Sequence, residues 1–418
     1  MPEPTTQVTF ATELRRLRGE LSLRALARRA CCSKSVIGDI ETGRRLPTPR
    51  IADALDKAVG ADGKLVELAE AERQQAERAS TTAPDQAVDG LLLDWDSVFR
   101  RDFLKGTGVA AAALTGLGAE QTLDADSHDL LIAHKDLRAA HGRLDNLRGA
   151  QAVYSQAREH HQQILAWLTT ATSDTERHRI AAFAADTGGF VGFLTYDLGQ
   201  AELAITHYRD AAGHAQTAGD ISSCCNLLGQ SSRILADLGH YDKALTLAHH
   251  ALHLAGTRAH PAVRSWLHAV RAHHHACLTH SRAAHTDLTT AWKLLDHADD
   301  GEKPPYIGYL NAAELNKWTG HTAVRLASSK ASAIRTGRTA LDDARATWPT
   351  SIVRGSAEVL TASAHIYAAD GEREVAADFV SRAIAVATTT GSARNLRAAL
   401  TAQTLVMSAS SLNRRSMS

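Results

Sequence analysis

At 418 residues, with 46 Lys plus Arg against 46 Asp plus Glu, the chain is long enough for two or three domains and carries no net formal charge. A uniformly basic, polyanion-coating protein is excluded, so any nucleic-acid footprint must be local. Aromatic residues are 5% and alanine-rich runs dominate, which favours closely crossing helices over a sandwich or a long parallel sheet.

The first 30 residues carry charges throughout and lack the apolar core of a signal peptide, and no run reaches transmembrane length. Phe10 to Gly19 reads as an amphipathic helix with Leu14 and Leu17 facing inward. Short capped units follow. Ser22 precedes Leu23-Arg24-Ala25-Leu26-Ala27, Ser33 precedes Lys34-Ser35-Val36-Ile37, and Thr48 precedes Pro49, where proline suits a first helical position. Leu26, Ala27, Ile37 and Ile40 stand where a two-helix corner would bury them, and Gly43 is placed to end the third helix. Residues 1–60 carry 11 basic and 7 acidic side chains, a local excess of four positive charges.

Leu21-Ser22 with Leu26-Ala27, then Ser33-Lys34-Ser35, Ile37, Ile40-Glu41, Gly43-Arg44-Arg45 and Pro47, resemble the Xre-type helix-turn-helix family, the fold of phage lambda repressor. The resemblance covers roughly residues 9 to 68 and implies a five-helix module that binds duplex DNA with its third helix in the major groove. Carried onto this chain, it places Lys34, Ser35 and Asp39 on the base-reading side: Lys34 to donate to guanine, Ser35 to either base type, Asp39 to accept from cytosine N4. Arg24, Arg44, Arg45 and Arg50 flank that helix and suit phosphate oxygens. Two positions depart from the family. Leu23 replaces the glutamine that commonly braces the reading helix, and Cys31 stands at the turn usually held by glycine.

Residues 79–126 read as a linker, with turn formers and no periodicity from Ala79 to Gly90. Within it, Arg100-Arg101-Asp102-Phe103-Leu104-Lys105 and the apolar run to Gly118 resemble a twin-arginine export signal. The DNA-binding module in front of the string argues for a packed connecting segment instead.

From residue 127 to 410 the chain alternates helical stretches with glycine-containing turns, ahead of a tail at 411–418, and the stretches repeat. Leu198-Gly199 and Leu238-Gly239 are 40 apart; Thr279, Gly320 and Gly371 are taken as further anchors. Small residues recur 7 before, 5 after and 12 after each anchor, Arg325 excepted, as close helix crossings require. This resembles the tetratricopeptide repeat, which implies an α-superhelix whose concave wall is lined by the first helix of each pair. Counting back from the anchors predicts that wall: Asp186, Phe193, Tyr196, Asn226, Arg233, Trp266, His273, Glu314, Lys317, Glu358 and His365. The best effector-binding candidates are Tyr196, Asn226, Arg233, Trp266, His273, Glu314 and Lys317, because amides, guanidinium and rings together can hold a peptide or small molecule. Residues 127–172 are expected to supply one or two leading helix pairs.

Five cysteines, as Cys31-Cys32, Cys224-Cys225 and lone Cys277, give neither a disulfide framework nor a zinc ribbon and fit a reducing cytosol. The 22 histidines, among them His249, His253 and His273-His274-His275, lack the companions of a known metal motif. No phosphate loop or nucleophile elbow is present, so no cofactor, metal or enzymatic activity is expected. The joined expectation is a cytoplasmic, homodimeric transcription regulator resembling the peptide-responsive regulators of Gram-positive bacteria, of actinobacterial type, with a double-stranded operator and an effector as partners. The competing expectation is a tetratricopeptide scaffold that recruits a protein partner.

Overall fold

The computed structural model describes residues 9–19, 21–30, 32–42, 47–72, 125–298, 302–327 and 331–415. The described residues are helical with no strand, and the chain divides into two compact units, Met1–Asp96 and Ser97–Ser418. The linker, the twin-arginine-like string, Cys31 and Gly43 to Arg45 lie outside the described residues.

The described residues of the first unit form five helices: α1 (Phe10–Arg18), α2 (Leu23–Arg29), α3 (Lys34–Glu41), α4 (Pro49–Val59) and α5 over residues 64–72. Each short helix starts on a side-chain cap. Ser22 accepts from the Ala25 amide, Ser33 from Val36 and Thr48 from Ile51, while Thr9 and Thr12 exchange bonds in a reciprocal box. Asp56 closes the start of α5, its two carboxylate oxygens taking the Gly63 and Leu65 amides at 2.8 and 2.9 Å. Helices this short are unstable alone, so the shared core of Phe10, Leu14, Leu26, Ile37, Ile40, Leu55 and Leu65 fixes their crossings. Leu23 packs at the rim of that core, so apolar burial replaces the polar brace.

Among the described residues of the second unit, the leading helix pair is α6 (Ala125–Arg148) and α7 (Ala150–Thr169). Six helices then form an inner layer: α8 (Asp174–Asp197), α10 (Ile221–Asp237), α12 (Pro261–Cys277), α14 (Ala312–Leu326), α16 (Val353–Ala369) and α18 (Ala393–Arg415). Each packs on the next of the set. Five others bridge successive inner helices from outside: α9 (Ala201–Thr217), α11 (Tyr241–Ala255), α13 (Ser281–Ala298), α15 (Ala331–Thr347) and α17 (Arg373–Thr389). Small residues permit these crossings; Ala204, Ala244, Ala284 and Ala376 are all fully buried. The layer closes on itself, because α18 also packs on α8. At the seam a Cβ on Gly149 would lie 1.9 Å from the Thr390 carbonyl oxygen, so only glycine lets the two backbones meet.

One repeat anchor is corrected. Gly320 does not end a helix but lies inside α14, where a Cβ would stand 2.4 Å from Leu341 Cγ. Its place in the sequence reflects the close crossing of α15, and α14 runs on to Leu326 because no turn former interrupts it. Accordingly Ser332 is exposed, and Ala333 and Ala340 are the buried small residues of that pair.

The other anchors share one turn. Gly199, Gly239, Thr279 and Gly371 all have positive φ, and the following amide bonds back five residues, as from His240 to Leu235 and from His280 to His275. Thr279, at φ 61°, is the β-branched residue among them and is strained there. Thr279→Gly is expected to stabilise the protein by about 1 kcal/mol, the strain relief outweighing the added freedom of the unfolded chain. Urea unfolding checks the sign.

Candidate functional site

In the first unit, α2 and α3 make the corner that the sequence predicts, with Leu26 and Ile37 buried inside it. Lys34 is exposed at the first position of α3 and Arg24 is exposed on the first turn of α2. Ser35 and Asp39 also lie on α3, and Arg50 lies on the first turn of α4. The orientation of α3 is braced by ion pairing. Arg18 of α1 holds Glu41 at 2.6 Å, and Arg15 donates to the Glu41 carbonyl at 2.5 Å. Arg18 and Glu41 are both mostly buried, so this pair locks the end of α3 to the core more firmly than a surface pair would.

In the second unit, the inner helices enclose a cavity of about 370 Å³. Asn226, Arg233, Glu314 and Lys317 line it, as do Asp186, Phe193 and Glu358. Tyr196, Trp266, His273 and His365 are not among the lining residues, which corrects the predicted wall. Trp266 is fully buried against Gly229, where a Cβ would lie 2.4 Å from its ring, and meets Trp318 edge to face. His273 packs between His274, Trp318 and His321. Tyr196 donates its hydroxyl to Asp237 beneath the wall. Each belongs to an inner helix, but a helix several turns long also turns faces toward its neighbours, and these residues occupy those contacts.

The sequence pattern missed most of the wall. Arg138 and Asp145 come from α6, Tyr306 and Tyr309 from the connection before α14, Trp348 from the end of α15, Arg354 from α16 and Arg394 from α18. The one legible signal was Arg354 with Glu358, two charges four residues apart in the otherwise apolar stretch of α16.

The five lining cations are paired with the four lining carboxylates and with Asp197, which is buried behind the wall. Arg138 faces Asp186 at 3.3 Å, Arg354 faces Asp145 at 2.6 Å, and Lys317 faces Glu314 at 2.7 Å. Arg233 faces Glu358 at 3.3 Å, and Arg394 faces Asp197 at 3.8 Å. Cross-links join the pairs: Glu358 also takes Arg394 at 2.7 Å and Lys317 at 3.1 Å, and Arg354 reaches Asp197 at 3.1 Å. Burial alone would raise the Glu358 carboxyl, but Arg394, Lys317 and Arg233 together hold it well below its ordinary range. Burial does raise Asp145, against the pull of Arg354. Asp237 is itself exposed, but the protein packed around it displaces water and lifts its carboxyl to about 6, with Arg394 opposing.

Residues 9–69 match the family model of a helix-turn-helix domain. This is a DNA-binding fold, and a regulator of that class is what it supports. No curated protein matches the chain. Among solved structures, the chain is similar to the crystal structure of BtubC (BKLC) from P. vanneervenii, at 13% identity and a TM-score of 0.40, over 58% of this chain and 92% of that one.

Two outcomes follow from these charges. Arg354→Met strands Asp145, leaves Asp197 to Ser392 and Arg394, and is expected to cost about 3–5 kcal/mol in urea unfolding. Asp237 binds its proton more tightly folded than unfolded, so its stabilising contribution is full below about 3.8 and lost as pH rises through about 6. Relative to Asp237→Asn, the wild type should therefore gain stability on acidification from neutral pH to about 4, by a small amount because the residue is solvent-exposed and screened, read as a relative rise in Tm.

Proposed function

We propose that the protein is a sequence-specific DNA-binding transcription regulator whose second unit is a tetratricopeptide-like sensor that binds an effector and dimerises. The carrying observation is the joining, in one chain, of a helix-turn-helix domain to a helical unit that encloses a polar and aromatic cavity. Domain limits near 1–78 and 127–410 fit the two units. A cytoplasmic location suits contact with chromosomal DNA.

The exposed Lys34 supports base reading, since the first turn of the second corner helix is the part that reaches base edges in this fold. Ser35 and Asp39, on the same helix, are proposed to read with it, while Arg24, Arg44, Arg45 and Arg50 take phosphates. Two reading helices in a dimer must sit about one DNA turn apart, roughly 34 Å. A ligand that shifts the second unit of each protomer would change that spacing and with it the affinity. Asn226, Arg233, Glu314 and Lys317 are the effector contacts this reading assigns.

Selection of bound duplexes from a random pool, at matched salt, tests the reading by comparing wild type with the double variant Lys34→Ala/Ser35→Ala. A two-fold symmetric site should be enriched by the wild type, and each lost base contact should cost about 1–3 kcal/mol on that site. Residual binding by the variant should be salt-sensitive and sequence-blind. Enrichment of no site by the wild type, with and without extract of the producing cells, would overturn the sequence-reading assignment.

A further inference from the structure

Helix α6 carries two rows of side chains at heptad spacing. Leu131, Arg138 and Asp145, seven residues apart, face the protein: Leu131 joins its core, and Arg138 and Asp145 line the cavity. The other row is Leu130, Ala133, Leu137, Ala140, Leu144 and Leu147, which alternate at three and four residues as the a and d positions of a coiled coil do. At about 3.6 residues per turn this row lies on the flank of α6 turned away from Arg138 and Asp145. Leu130, Leu137 and Leu147 are 44%, 42% and 80% exposed, Ala133 is exposed, and Ala140 and Leu144 are half-buried. Exposed leucines scattered singly need no explanation, but a row that keeps the seam spacing along most of a helix calls for another helix laid against it.

The charges beside the row indicate which helix. Asp136 and Arg143 stand along one edge, exposed and without an ion pair among the described residues. Set antiparallel to a second copy, the row packs a against d: Leu130 on the partner's Leu147, Ala133 on the partner's Leu144 and Leu137 on the partner's Ala140. Small faces large in both central layers. In this register each Asp136 lies beside the partner's Arg143, and the two-fold axis makes the pair twice. A parallel arrangement would instead set Arg143 beside the partner's Arg148, two like charges. Along the other edge, burial holds His134 and His141 below their ordinary pKa, so that edge adds no repulsion at neutral pH.

We propose that α6 is the dimer interface of the second unit, pairing antiparallel with α6 of a second copy about a two-fold axis that passes between Leu137 and Ala140. This rests on the dimerising role given to the second unit above and names the surface that performs it. At about 1.5 Å per residue the row is roughly 26 Å long and one helix wide, which sits at the low end of interface sizes, under about 1,200 Å² in total. The association is therefore weak, with a dissociation constant in the micromolar range.

Sedimentation velocity of the full chain without DNA, across roughly 1–200 μM, tests it. The wild type should pass from monomer to dimer over that range. Asp136→Arg or Arg143→Asp alone sets like charges together twice and should weaken the dimer about tenfold, and the double variant Asp136→Arg/Arg143→Asp should restore it. The two residues are about 10 Å apart along one helix, so rescue reports contact between copies and not within one. Leu137→Arg/Leu147→Arg should abolish the dimer at a Tm equal to that of the dilute wild type, because both side chains are exposed in the single chain. A dimer that withstands all these changes would overturn the α6 assignment and leave a dimerising second unit. A wild type that stays monomeric throughout would overturn both. A lowered Tm for the dilute leucine variant would show that the chain itself covers the row, and would also overturn the proposal. A failed DNA selection alongside charge rescue would overturn only the reader.

Discussion

The second unit depends on Arg354. Its guanidinium joins Asp145 and Asp197, which lie 209 and 157 residues away along the chain. Stacked helix pairs form an open spiral unless something holds the ends, since each pair contacts only its neighbours. Here the last inner helix returns to the first, and the closure concentrates charge inside the ring. Buried ion pairs are weak stabilisers against an apolar alternative, but a buried cation stripped of its partner is strongly destabilising. The seam therefore specifies one ring geometry, with Arg354, Ser392 and Arg394 all converging on Asp197.

That geometry makes the cavity. Had the spiral stayed open, the same Asn226, Arg233 and Lys317 would face water, and water would satisfy them. Within the ring, Arg233 and Lys317 are instead held by Glu358 and Glu314, and together with Arg394 they keep the Glu358 carboxyl low against the cost of its burial.

The helix-turn-helix unit rests on a different kind of determination. Its helices begin on Ser22, Ser33 and Thr48, turn within a few residues and bury a core contributed by neighbours in sequence, so local rules suffice. Its braces reach further: Arg18 holds Glu41, Lys64 holds Glu13, and Glu72 accepts from the Phe10 amide, which ties the first helix to the last.

Sequence by itself determined the all-helical class, the caps of the first unit, its two-helix corner, and the turns at Gly199, Gly239, Thr279 and Gly371, because each follows from residues adjacent in the chain. It also placed Asn226, Arg233, Glu314 and Lys317 on the inner layer, since helical periodicity carries that far. Only the tertiary structure decided that Gly320 serves a helix crossing, that Trp266 and His273 turn into interhelical packing, and that Arg138, Asp145, Arg354 and Arg394 join the wall. The reason is physical: a helix face is fixed by spacing, but which part of that face meets a neighbour and which meets the cavity depends on where the superhelix closes, and closure is set by partners hundreds of residues apart.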